Sequence, residues 1–164
     1  MPDLGIAGLR AKIDTGARTS SLHATSIQCY DVDGVPWVRF HVPLGGGRAP
    51  IRCAAPLVDQ RLIKNTSGQS EARFIIRTTL VLAARHWQVE VSLANRENMG
   101  FAIILGRTAL RRRRVLINPG RSFLAGPPVM AGIVPGASRE PGQTAIATSG
   151  HSGQTPILTK GNRQ

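Results

Sequence analysis

One acidic residue is set apart by its neighbours. Asp14 closes a short apolar run in "KIDTGARTS" and is followed at once by Thr15 and Gly16. A carboxylate so placed reads in two ways. It can open an Asx turn, bonding backbone two residues on. It can also supply half of a carboxylate pair that shares one proton and activates a water. The other aspartates, Asp3, Asp31, Asp33 and Asp59, lie in turns or loops, and none precedes Thr-Gly or Ser-Gly. If Asp14 is catalytic, its twin must come from a second copy of the chain.

Metal chemistry has thinner support. His23, Cys29, His41 and Cys53 are separated by five, eleven and eleven residues, which matches no familiar zinc module. There is no His-Glu-x-x-His, no Cys-x-x-Cys and no phosphate-binding Gly-x-x-x-x-Gly-Lys-Ser/Thr. No metal ligand set and no cofactor are expected, and Cys29 and Cys53 read as small apolar residues. The chain has 21 basic against 9 acidic side chains, a formal charge of +12. Such a field favours anionic partners. The Arg111–Arg114 run is expected to attract phosphate non-specifically, with few aromatics for stacking. No apolar stretch reaches the roughly 18 residues of a membrane span, and no secretory leader is visible. A cytoplasmic protein with reduced thiols is the expectation.

The elements that must position Asp14 read as strands. Leu9, Ala11 and Ile13 alternate with Arg10 and Lys12 into Asp14. "VPWVRFHV" (residues 35–42) alternates after the turn residues "DVDG". Residues 61–82 read as two strands joined by a polar tip at residues 65–70, with Gly68 at the turn, and "ARHWQVEVSL" as another. Phe101 to Leu105 is a continuous apolar run, the mark of a strand buried on both faces. Gly106 breaks it, residues 108–114 suit a short helix, and "VLIN" suits a last strand. Residues 1–125 thus form one all-β barrel-like domain with a short helix near its end. The tail, residues 126–164, holds seven Gly, five Pro and no aromatic. It is expected to be disordered.

The order of these segments resembles the retropepsin-like aspartic proteases: a strand ending in Asp-Thr-Gly-Ala, a flap hairpin, a further hairpin, Ile-Leu-Gly-Arg and a helix. "AKIDTGARTSSLHA", "VRFHV", "APLVDQRLIKNTSGQSEARFIIRTTL", "NRENMGFAIILGRTALRRR" and "INPGRSFLAG" are similar to a bacterial retropepsin-like family named for ATP-dependent zinc proteases. The resemblance covers most of residues 4–126 and leaves the tail outside. Members usually carry more chain upstream, resembling a first strand. This sequence starts at "MPDLGIAG", so either a missing edge strand weakens the fold or the dimer, or the start codon is misassigned.

The resemblance implies a homodimeric peptidase with Asp14 as the catalytic carboxylate. Thr15 would bond across the dyad, and Gly16 and Ala17 would keep the loop close to the carboxylates. Gly106 and Arg107 would brace it from behind. Asn65, Thr66, Ser67, Gly68 and Gln69 would form the flap tip. Arg18 and His23 would lie within reach of substrate, unless His23 simply packs on a helix face. Arg18, Arg48 and Arg107 suit a polypeptide substrate rich in acidic residues. Family genes are often linked to ATP-grasp ligases that add glutamates to protein tails, so a glutamate-extended substrate is implied, with the ligase as ATP user. Two other readings stand beside this one: a basic RNA- or ribosome-binding module without activity, and a zinc-dependent protease as the family name states.

Overall fold

The structure, a computed structural model, describes residues 1–64, 68–97, 100–111 and 113–126. The expected disordered tail lies outside the described residues apart from Gly126, as do Asn65, Thr66, Ser67 and Arg112. Among the described residues there are eight strands and one short helix. The strands are β1 (Ala11–Ile13), β2 (Ser20–His23), β3 (Thr25–Val32), β4 (Val35–Val42), β5 (Ile51–Lys64), β6 (Ser70–Leu82), β7 (Arg85–Ala94) and β8 (Ile103–Leu105). Helix α1 spans Arg107–Arg111. The all-β architecture read from the sequence is therefore the one observed.

The strands hydrogen-bond in the order β1-β8-β2-β7-β6-β5-β4-β3. From β7 to β3 the sheet is an antiparallel meander built on alternation. Trp87, Val89 and Val91 on β7 are buried, as are Val38, Phe40 and Val42 on β4. Both halves of the sheet feed one apolar cluster, in which Leu22, Phe40, Ile76, Val91, Ile103 and Leu105 meet. The β3–β4 turn follows from "DVDG". Asp33 and Gly34 both have positive φ, 53° and 79°, and the Asp31 carboxylate accepts the Gly34 N–H at 2.8 Å. Two such residues give the hairpin turn whose twist matches its strands.

Several boundaries differ from the sequence reading. β1 is shorter, because Leu9 and Arg10 lie ahead of the ladder. The "VLIN" segment is not a strand: Leu116 is 95% exposed and pairs with nothing regular. Helix α1 starts one residue earlier than expected and ends at Arg111. Ahead of β1 the chain forms a 3₁₀ turn, Pro2–Leu4, that sends Leu4 and Ile6 into the core. The Asp3 carboxylate there accepts the β6 Thr79 N–H at 2.7 Å.

Cys53 is buried and donates its S–H to the Leu4 carbonyl at 3.4 Å. Burial pushes its thiol up from 9.0 to about 12, whereas Cys29 is exposed. Alkylation requires the thiolate. At pH 8 iodoacetamide should therefore modify Cys29 alone, with Cys53 reacting only after denaturation. Mass spectrometry of the intact protein checks this; two rapid additions to the folded chain would contradict it. The stability tied to Cys53 is present below pH 9.0 and is lost as pH rises towards 12, because the unfolded thiol ionises first.

Candidate active site

Asp14 sits where β1 ends, and the loop after it is shaped by its own side chain. Asp14 Oδ1 accepts the Gly16 and Ala17 N–H groups, each at 3.0 Å. This is the Asx geometry expected of a turn aspartate. The Asp14 N–H donates to the Leu105 carbonyl at 3.0 Å, which ties the loop to the end of β8. Thr15 and Gly16 face solvent.

Gly106 and Arg107 lie directly behind this loop. A Cβ on Gly106 would stand 2.7 Å from the Thr19 carbonyl carbon and 2.9 Å from the Arg18 oxygen, so only glycine fits. The Gly106 N–H donates to Ser20 Oγ at 3.1 Å. Arg107 Nη1 donates to the Thr15 and Gly16 carbonyls at 2.9 and 3.0 Å. Its backbone N–H reaches the Ala17 carbonyl at 2.9 Å. Thr108 adds two bonds to the Arg18 carbonyl, from its N–H at 3.2 Å and its hydroxyl at 2.9 Å. Gly106 and Arg107 were expected here from the sequence, and Ser20 and Thr108 were not. Both are small polar residues beside the motif, and a signal existed: a glycine amide ending a buried strand needs an acceptor.

The loop opens on a broad cleft. Its walls include Asp14, Arg18 and Arg107, the β5 residues Leu62 to Lys64, and charged residues of β6 and β7. Nine basic side chains line it against four carboxylates. Arg61 donates to Glu90 at 2.9 Å and Arg77 to Glu90 at 3.4 Å. The Arg61 hydrogen bond holds the Glu90 carboxyl below the usual carboxylate range. Arg73 donates to Glu71 at 2.9 Å. Arg96 is drawn below the usual arginine range by burial and then by the neighbouring Arg73, with Asp14 acting in the opposite direction. Arg73 and Arg96 were not expected at the site: neither stands near Asp14 in sequence, and only the fold brings them to the cleft that Asp14 lines.

The remaining expected site residues fall as follows. β5 and β6 pair as far as Lys64 and Ser70, and Gly68 has a φ of 82° as its turn role requires. Gln69 is exposed beside it. His23 lies on strand β2, not a helix. It is buried, does not line the cleft, and its Nδ1 accepts the Arg96 N–H at 2.9 Å. Arg48 donates to the Leu44 carbonyl at 3.1 Å within its own loop, away from the cleft.

Among the described residues no three His, Cys, Asp or Glu side chains gather as ligands. His23 and Cys53 are each committed to a backbone partner. Among those residues, too, no helix is long and apolar enough to cross a membrane.

An all-β domain with one Asp-Thr-Gly loop, braced by a Gly-Arg turn at the end of a buried strand, has the architecture of a single retropepsin-like lobe. Residues 1–128 match the family model described as RimB-like, retropepsin-like aspartic endopeptidase RimB. The chain belongs to the RimB-like family of retropepsin-like aspartic endopeptidases. It is 48% identical over 117 residues to a probable alpha-L-glutamate ligase of Desulfotalea psychrophila, covering 70% of this chain and 25% of that protein. A protein of the same name from Shewanella pealeana is 41% identical over 127 residues, covering 76% and 28%. The chain thus spans about a quarter of the length of these curated relatives. A crystal structure of a Legionella pneumophila protein of unknown function aligns with a TM-score of 0.62 at 27% identity, covering 71% of this chain and 84% of that one.

Proposed function

We propose that this chain is one half of an aspartic endopeptidase, completed when a second copy brings its Asp14 beside the first across a two-fold axis. The observation that carries this reading is the Asp14 loop. One carboxylate oxygen is fixed by two amides, the loop is braced from behind, and its tip is left facing solvent. That is a preorganised carboxylate without its twin. In the dimer the two carboxylates share one proton. The ionised one takes a proton from water, and the neutral one hydrogen-bonds the carbonyl of the cleaved bond. Thr15 lies where the two loops would meet, and the β5–β6 hairpin would close over the substrate.

The substrate is a polypeptide, and the basic cleft favours an acidic one. Relatives named as glutamate ligases carry this domain within a longer chain, which supports glutamate-extended protein tails as the substrate. Free cysteines suit a cytoplasmic setting. The same positive surplus would hold RNA phosphates loosely.

Dilution tests the two-copy reading. Specific activity should fall as protein concentration drops through the dimer dissociation constant, in step with the sedimentation coefficient. Peptide cleavage by a species that sediments as a monomer would overturn it. Tight, salt-sensitive RNA binding with no peptidase activity would favour a binding module instead.

A further inference from the structure

Of the nine basic side chains that line the cleft, only Arg61, Arg73 and Arg77 form ion pairs among the described residues, and Arg96 stands apart among the other six in holding a buried Nε without an acceptor. Arg61 and Arg77 share Glu90, and Arg73 is held by Glu71. None of the ion pairs among the described residues uses Arg96. Its Nε is screened from solvent and finds no acceptor among them. A desolvated guanidinium donor without an acceptor is unfavourable by the measure of a lost charged hydrogen bond. A second cation lies beside it, since Arg73 raises the local potential at Arg96 and its side chain is only 12% exposed. The backbone holds Arg96 in place: its N–H donates to buried His23 Nδ1 at 2.9 Å. Two guanidinium groups, one unsatisfied, line the same cleft as Asp14. What completes such an arrangement is an anion with planar oxygen acceptors.

We propose that Arg96, backed by Arg73, receives a carboxylate of the bound polypeptide close to the bond cleaved by the water that Asp14 activates, and so sets a preference for acidic sequence there. This rests on the peptidase reading of the same cleft. His23 is a positioning residue, fixing the backbone from which Arg96 projects.

Binding separates the two ideas when it is measured on a protein that cannot cleave. The full-length Asp14→Asn chain is titrated with fluorescent peptides in pairs, Glu against Gln in the side chains and free against amidated at the C-terminus. The Glu peptide should bind roughly tenfold or more tightly than its Gln twin. Adding Arg96→Gln should bring that ratio close to one. A ratio that follows C-terminal amidation instead would identify the α-carboxylate as the recognised group, still held by Arg96. Ratios unchanged by Arg96→Gln would overturn the proposal. Should Arg96→Gln misfold, Arg96→Lys serves: it keeps the charge, loses the planar fork and should lose most of the preference. Cleavage by otherwise wild-type protein completes the test. If peptides are cleaved with a Glu/Gln ratio of kcat/KM indifferent to Arg96, the subsite falls and the peptidase stands. If no peptide is cleaved but Arg96-dependent binding persists, the peptidase reading falls and the subsite stands.

Discussion

An Asp14→Asn chain keeps its fold and self-association and loses peptide cleavage by on the order of a thousandfold or more. The substitution is nearly isosteric. The asparagine carbonyl can still accept the Gly16 and Ala17 amides that shape the loop. What it cannot do is hold the shared proton or deprotonate water. Mixing sharpens the test, because each site needs two intact copies. Exchanging wild-type chain with an equal amount of Asp14→Asn chain leaves only about half of the wild-type chains paired with one another. Cleavage by a fixed amount of wild-type chain should therefore fall to about half. A rate indifferent to the added variant would mean that each chain works alone, and a variant that still cleaves at the wild-type rate would remove Asp14 from the chemistry.

Gly106→Ala is expected to be the most damaging single-methyl change in the body of the protein. The added carbon would meet the Thr19 carbonyl carbon at 2.7 Å, its oxygen at 2.8 Å and the Arg18 oxygen at 2.9 Å. All three are backbone atoms, so no rotamer relieves the clash. Either β8 or the segment leading into β2 must shift, at about 3 kcal/mol. Thermal unfolding should show a fall in Tm of roughly 10 °C. Activity should fall further than stability, because the same shift loosens the grip of Arg107 on the Thr15 and Gly16 carbonyls. Gly16→Ala is the informative contrast. Its Cβ would meet only Asp14 Oδ1, at 3.2 Å, so it should disturb turnover with little effect on Tm. Equal melting temperatures for Gly106→Ala and wild type would show that the Gly106 contact is not the brace described.

How much was legible in the sequence depended on whether burial and polarity agreed. β4 and β7 stood out because their apolar residues alternate and face one core. β2 did not, because three of its four residues are polar and all are buried. Ser20 is there to receive the Gly106 amide, and Ser92 Oγ in turn donates to the Ser20 carbonyl at 3.2 Å. The first half of β5 was unread, since "IRCAAP" mixes small residues with a proline at 56. "VLIN" failed in the opposite sense, with apolar residues that the fold leaves exposed. Asp14, Gly106 and Arg107 could be read because they are local motifs. Arg73 and Arg96 could not, because nothing near either in sequence announces that the fold brings β6 and the segment after β7 to one cleft.

The pairing of β1 with β8 joins residues near the start of the chain to residues more than ninety positions later, Ala11 to Ile103 and Ile13 to Leu105. During synthesis the aspartate emerges long before the strand and arginine that hold it in place. Contacts so distant along the chain form late. A growing polypeptide therefore cannot hold the Asp14 loop in its braced form until β8 and the arginine after it have left the ribosome.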